Sequence, residues 1–431
     1  MSQPRSLSRR RFLGMAGAGA VGMGTAGAMA RGPIERSLGL AGGTTGRARP
    51  AAGQGILVLV AQYGGNDGLN TVIPYHDSAY SAARPTLGFA ADEVLPLDGD
   101  LALNPGMRGM KSLWDAGHLA IVRGVGHPNP TFSHFREMDI WQSAVPDTDE
   151  PTGWLGRYLD RTGGKDPLFA LSLGPTMPKL LRGATAAGSA IPSGSLALPH
   201  GQLLEPRFTA IETPFTGEAP LAARVATSGA DLLAVLHSVR DVLASQPPVV
   251  DGTNLEGPGS GAPGTTGPKA RAGGVLAAQL DLVARLIKGG LPTRVFVVSI
   301  GGWDTHGSEK DTHNRLLGEL DAGISGFVSA MAGDRRGADV VLMTFSEFGR
   351  RVTENASGGT DHGTAAPLFV VGSSVKGAYY GDQPTLTDLV DGNLRTTTDF
   401  RSVYATVADR VLGIDPRDVL EGGPFPQIPF V

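Results

Sequence analysis

The chain contains no cysteine. Disulfides and thiolate ligands are therefore excluded, and any metal must sit on imidazole, carboxylate or backbone oxygen. Aromatic residues are scarce at 6%, and no positive excess exists, the net charge being −4. Nucleic-acid binding requires a basic face and is not expected. No run after the first 30 residues approaches the roughly 20 apolar residues of a membrane span, so no transmembrane span is expected in a soluble mature chain. With 431 residues, 41% of them hydrophobic and 18% charged, the composition is globular and long enough for one large domain or two ordinary ones. Abundance lies in 63 glycines and 31 prolines, which imply many turns and long loops around a core.

The amino terminus carries an address. Ser8-Arg9-Arg10-Arg11-Phe12-Leu13 is a twin-arginine export pattern, followed by a weakly apolar Gly/Ala stretch and by Ala28-Met29-Ala30, an A-x-A cleavage site. Residues 1–30 are read as a signal peptide engaging the twin-arginine translocation machinery, which places the mature protein in the periplasm, at the cell surface or outside the cell. Its loss removes four Arg and no acid, leaving −8. Gly17, Gly19 and Gly22 match a dinucleotide fingerprint by letters alone, with no strand before them. Residues 31–52 read as a flexible tether, and 53–431 as a single domain with a mobile Gly/Pro/Thr-rich loop at 246–271.

Within that domain, continuous apolar runs alternate with helical patterns. The runs are 55–61, 119–122, 168–173, 294–300, 340–345 and 368–371; helical spacing marks 106–116, 228–244, 274–288, 312–331 and 399–412. Such alternation predicts an α/β fold with a largely parallel central sheet and helices on both faces. In open sheets of this kind ligands bind beyond the strand ends, and there the polar residues gather.

Asp67 follows the first strand in a Gly-rich turn, where a carboxylate can face the crevice or bond its own backbone. Asp304 and His306 follow the run ending at Ile300; two apart in extended chain, they point to one side and can reach one ion. Glu347 and Arg350 end another run, and Asp361 and His362 precede the next. An Arg near a metal cluster suits recognition of phosphate or sulfate, whose oxygens match its fork, although an ion pair with Glu347 is the plainer reading. His313 reads as an outer or surface group in the next helix.

Four motifs in order carry a resemblance: Gly64-Gly65-Asn66-Asp67-Gly68-Leu69-Asn70, Gly301-Gly302-Trp303-Asp304-Thr305-His306, Thr344-Phe345-Ser346-Glu347-Phe348-Gly349-Arg350 and Gly359-Thr360-Asp361-His362-Gly363. From about Gly53 to the carboxyl end the chain resembles the exported domain-of-unknown-function 1501 family. That family looks like a distant branch of the alkaline phosphatase and sulfatase superfamily, an α/β sandwich with a two-metal site at its strand ends.

The resemblance implies Asp67 as the first-strand ligand, with Glu347 serving the same ion. It implies Asp304, His306 and His362 as ligands of a second ion, with Asp361 beside them. Two departures stand out: Glu347-Phe348 replaces a late Asp-His pair, and one residue separates Asp304 from His306 where the superfamily usually has three. The implied nucleophile lies in His127–Arg136, with Ser133 first and Thr131 second; either also serves as a plain helix N-cap. His134 would then steady a leaving group or bind metal, and Arg136 would face the oxyanion.

The resulting expectation is an exported hydrolase of phosphate or sulfate esters, acting on a small-molecule or glycan ester. Its cofactor is a divalent metal, with zinc favoured by the imidazoles and manganese or calcium as alternatives. The competing expectation is a non-catalytic secreted binding or envelope-assembly module that keeps the fold and one structural ion.

Overall fold

A computed structural model of the chain describes residues 55–162, 166–191, 219–245 and 274–431. The export segment, the tether and the loop at 246–271 lie outside the described residues. The chain divides into two compact units, residues 1–47 with 197–237, and residues 48–196 with 238–431. The first is described only from 219 to 237, where helix Pro220–Ala244 begins.

Its main elements are β1 (Ile56–Tyr63), α1 (Arg108–Asp115), β2 (Leu119–Gly126), α2 (His134–Ser143), α3 (Trp154–Thr162), β3 (Ala170–Leu173), β4 (Ser189–Ile191), α4 (Gly274–Lys288), β5 (Val295–Gly301), α5 (Glu309–Met331), β6 (Val340–Ser346), β7 (Ala366–Val371), β8 (Tyr379–Tyr380), β9 (Thr398–Asp399) and α6 (Phe400–Thr406). The nine strands form one sheet in the order β8-β2-β7-β6-β1-β5-β3-β4, with β9 also on β2. Every pairing is parallel except those made by β7. The fold class expected from the alternating runs is the one observed.

Burial explains why these runs are continuous rather than alternating. Leu57, Leu59 and Ala61 of β1 share one core with Val295, Val297, Val341 and Met343 of the neighbouring strands and with Trp141 of α2, Trp154 of α3 and Phe400 of α6. The intervening Ile56, Val58 and Val60 are equally buried. On β5, α4 packs on the strand, α5 packs on α4, and α1 on α5. Both faces of the central strands are thus covered, and neither tolerates a polar residue without a partner.

Register then sets the position of the polar loops. Tyr63 is level with Gly301, and Gln62 with both Ile300 and Ser346. The turns after β1, β5 and β6 therefore leave one edge of the sheet together. Because β7 runs antiparallel and pairs Ala366 with Val125 near the end of β2, the segment before β7 and the one after β2 emerge at that same edge.

Candidate metal centre

The turn after β1 approaches the β5 loop as closely as backbone allows. Gly64 and Gly65 have φ of 120° and 79°, and a Cβ on Gly64 would lie 2.4 Å from the amide nitrogen of Asp304. Only glycine fits there. Arg350, fully buried, ties the loops together: its Nε donates to Gly65 O at 2.8 Å, and its terminal nitrogens donate to Gly64 O, Trp303 O at 2.9 Å and Thr360 O at 3.0 Å, and to Asp304 Oδ1 at 2.9 Å. The expected role in oxyanion recognition is therefore corrected: this guanidinium is committed to carbonyls and one carboxylate and has no face open to a substrate.

Around Asp304 stand three imidazoles. His306 Nε2 and His362 Nε2 lie 3.0 and 3.2 Å from Asp304 Oδ1, and 3.0 Å from each other. His134 Nε2 lies 3.4 Å from Asp304 Oδ2. Donor atoms of His134, Asp304 and His362 all fall within 4.8 Å of one another.

Each ring anchors its other nitrogen elsewhere. His134 Nδ1 donates to Glu347 Oε1 at 2.9 Å, His362 Nδ1 to Phe132 O at 2.8 Å, and His306 Nδ1 faces Asp361 Oδ1 at 3.4 Å. These partners fix the tautomers so that the three Nε2 lone pairs converge on one carboxylate. Burial raises the Asp304 carboxyl, but the hydrogen bond and charge of Arg350, with His362 and His306 beside it, overcome it and hold it at about 2.

Two imidazole lone pairs facing each other at 3.0 Å repel unless a cation or proton lies between them. A tetrahedral ion with bonds of about 2.0–2.1 Å separates its ligand atoms by roughly 3.3 Å, close to the spacings here. The residues present fit one divalent ion held by His134, Asp304 and His362, with His306 beside them on His362. The buried carboxylate behind His134 is the outer partner that metal-bound histidines usually have.

Other expected site residues are placed differently. Glu347, 2% exposed, accepts from Gly64 N at 2.7 Å as well as from His134; it backs a histidine instead of joining those donors. Asp361, more than half exposed, stands behind His306 and accepts from Asn355 Nδ2 at 3.2 Å. Asp67 is removed from the cluster. Completely buried, it is gripped by both terminal nitrogens of Arg84, one of them 2.9 Å from Oδ1. Burial raises its carboxyl, but Arg84 outweighs that and lowers it to about 2. Asp67 is thus committed to Arg84, and among the described residues it does not group with the donors around Asp304.

Behind Asp67 lies a network the sequence reading did not find. Glu309, in the first turn of α5 and fully buried, accepts from Thr360 Oγ1 at 2.6 Å. Its Oε1 meets no donor, but protonated it donates to Asp67, and burial together with the Asp67 charge pushes it up to about 9. His313 packs on Trp303, and its Nε2 hydrogen-bonds Asn66 Oδ1 at 2.9 Å; burial pushes the ring down to about 4, so it is neutral. Arg84 and Glu309 carry no motif, which is why spacing did not reveal them.

The segment before α2 brings the candidate nucleophiles. Thr131 Oγ1 donates to Glu137 Oε1 at 2.8 Å, and His127 Nε2 bonds the other carboxylate oxygen at 2.6 Å. Ser133 is the N-cap residue, yet its side chain makes no capping bond, and it is exposed. Its neighbours are tied to the cluster, Phe132 through its carbonyl and His134 through its ring. Arg136 turns away: its terminal nitrogens bond Asp149 at 2.8 Å, Pro146 O at 2.9 Å, Thr148 O at 3.1 Å and Asp139 at 3.3 Å. Its expected oxyanion role is likewise corrected. Phe348, 2% exposed, sets its ring 5.1 Å from that of His134 and 4.6 Å from that of His362.

Fold and site define an α/β protein with a histidine-rich cluster at the carboxyl edge of a largely parallel sheet. The family described as "Protein of unknown function (DUF1501)" matches residues 223–424, a span that contains three of the four motifs, and the chain resembles that family there. No curated protein matches. Similar solved structures include a protein in the alkaline phosphatase superfamily from Vibrio parahaemolyticus (9% identity, 89% of this chain and 72% of that one, TM-score 0.38). The phosphonate monoester hydrolase of Agrobacterium radiobacter is another (11%, 86% and 78%, 0.36). A third is the soluble domain of lipooligosaccharide phosphoethanolamine transferase A from Neisseria meningitidis (12%, 75% and 78%, 0.32).

Proposed function

We propose that this chain is an exported, metal-dependent hydrolase of phosphate or sulfate esters with a single-ion centre of His134, Asp304 and His362, beside which His306 stands. The observation that carries the reading is the shared orientation of three imidazoles, each anchored through Nδ1 and each turning Nε2 toward Asp304. Imidazole nitrogens with one carboxylate oxygen favour zinc over manganese or calcium. When bound, the ion supplies Lewis acidity and eases ionisation of a hydroxyl beside it.

The chain's own groups supply the rest. Ser133 Oγ, free of a capping bond, is the nucleophile: its oxygen bonds to phosphorus or sulfur as its proton passes to solvent water. The bond to the ester oxygen breaks and the departing alcohol takes a proton from water; a second water then attacks phosphorus or sulfur, the bond to Ser133 Oγ breaks, and the free acid leaves with the serine hydroxyl restored. The free backbone N–H groups of the first turn of α2 face developing negative charge. Glu347 holds the His134 ring by its Nδ1 and so turns Nε2 toward Asp304. The twin-arginine pattern at Ser8–Leu13 supports export to the periplasm or cell surface.

The competing reading, a non-catalytic binding module with one structural ion, draws on Arg136 and Arg350 being engaged elsewhere. Elemental analysis of the mature protein and an ester panel separate the two. One ion per chain is expected, lost in Asp304→Ala and His362→Ala, with turnover of aryl phosphates or sulfates. Bound ion without turnover supports the module. Absence of metal, with esters untouched after addition of zinc, manganese or calcium, sinks the enzyme.

A further inference from the structure

Among the described residues, the large apolar side chains left exposed include three aromatics, Tyr63, Phe132 and Phe135, and the others are aliphatic. Phe132 and Phe135 lie on the segment that delivers His134, and Tyr63 ends β1 just before Gly64, whose N–H bonds the Glu347 carboxylate behind that histidine. Phe135 follows His134 in the first turn of α2 and is 92% exposed, while the same helix buries Met138, Ile140 and Trp141. The helix already has an apolar face in the core, so Phe135 is not a core residue out of place. Phe132 adopts φ of 59°, a left-handed conformation costly for a bulky side chain. Its carbonyl accepts from His362, so the strained residue is pinned beside the ligands with its ring in solvent. The Tyr63 ring at the end of β1 is part-exposed. Aromatic faces left in water beside a polar site are binding surfaces for flat apolar faces.

We propose that Tyr63, Phe132 and Phe135 are specificity-determining residues that stack on a ring-bearing part of the ester, a sugar or an aryl ring, while Ser133 between the two phenylalanines meets the acid group. This rests on the hydrolase reading for the identity of the acid group, but not for the stacking itself.

The test uses the mature protein, with Ser133→Ala to prevent turnover. The probes are glucose 6-phosphate, glucose 6-sulfate, phenyl phosphate and phenyl sulfate, set against ethyl phosphate and ethyl sulfate. Affinities come from titration, and saturation-transfer NMR reports which ligand protons touch the protein. Ring esters are expected to bind about tenfold tighter than ethyl esters, with saturation on ring protons. Phe135→Ala and Phe132→Gly should erase that ratio; the latter keeps the left-handed backbone accessible and guards against misfolding. The glucose and phenyl arms tell which kind of ring is taken. Equal affinity for ring and ethyl esters, an unchanged ratio in both variants, or no binding of any probe overturns the proposal. Ring-selective binding without turnover in the unmodified protein sinks the hydrolase and leaves the stacking intact, whereas turnover with no ring preference does the reverse.

Discussion

His134 donates through Nδ1 to Oε1 of Glu347 at 2.9 Å while its Nε2 stands 3.4 Å from Asp304. A carboxylate in this position orients the ring and raises its basicity, and its removal typically weakens metal binding by about 10–100-fold without abolishing it. Glu347→Gln should therefore retain one ion at saturation and lose about that much affinity in competition with a chelator. If Glu347 were itself a ligand, as the resemblance implied, the variant would instead behave like Asp304→Ala.

The Asp67–Arg84 pair predicts the opposite pattern. Both side chains are wholly buried, and deleting one member of such a pair strands the other charge, typically at a cost of about 3–5 kcal/mol. Arg84→Met should lower the unfolding free energy read from urea titration by that amount, and Asp67→Asn by a smaller one. Neither should alter metal stoichiometry. Loss of the ion from folded Asp67→Asn would restore Asp67 as a ligand.

Much of this was legible because the core signal is redundant. The runs at 55–61, 294–300 and 340–345 are apolar at all positions but Arg294, Ser299 and Thr344, since helices cover both faces, and the polar motifs sit where register brings the strand ends level. Asp304, His306 and His362 could be picked out by their place after β5 and before β7. Direction was less visible: β7 reads like its neighbours yet runs antiparallel, and apolarity does not encode orientation. Partnership was least visible. Asp67 and Asp304 both follow strands in Gly-rich turns, but Arg84, 17 residues further on, claims the first, while a ring of histidines claims the second. Arg136 and Arg350 looked like anion hooks because a guanidinium's partners, here mostly carbonyls, leave no trace in spacing.

Glu309 gives the stability a pH signature. Its carboxyl is raised in the native protein from an ordinary 4.5 to about 9 by burial and by Asp67. Below 4.5 both folded and unfolded chains hold that proton; above it the unfolded chain releases the proton first, so this contribution is lost as pH rises toward 9. Asp304 works the other way, lowered to about 2, with a contribution present above the unfolded carboxylate value and lost as pH falls from there toward 2. Glu309→Gln keeps an acceptor for Thr360 and a donor for Asp67 but cannot ionise. In urea unfolding between pH 5 and 8.5 the variant should gain on the unmodified protein as pH rises, by at most about 1.4 kcal/mol per unit. A difference independent of pH would mean that Glu309 is ionised in the native state.

Ser133 and Thr131 divide by their hydrogen bonds. Thr131 Oγ1 is held by Glu137, which also receives the Thr131 amide and His127, so this hydroxyl braces the loop. Ser133 Oγ makes no capping bond and remains free to attack. Thr131→Ala should cost about 1 kcal/mol of stability and leave kcat within about threefold, whereas Ser133→Ala should cut kcat by about 10³-fold or more with metal content unchanged, as loss of a nucleophile does. Rapid-mixing assays with an aryl ester add a second criterion, because a covalent intermediate on Ser133 releases a burst of aryl alcohol close to one equivalent whenever its breakdown limits turnover. If Ser133→Ala retains kcat and Thr131→Ala loses it, the roles are exchanged. If both retain it, the attacking oxygen belongs to water and the helix amino terminus serves only to hold the anion.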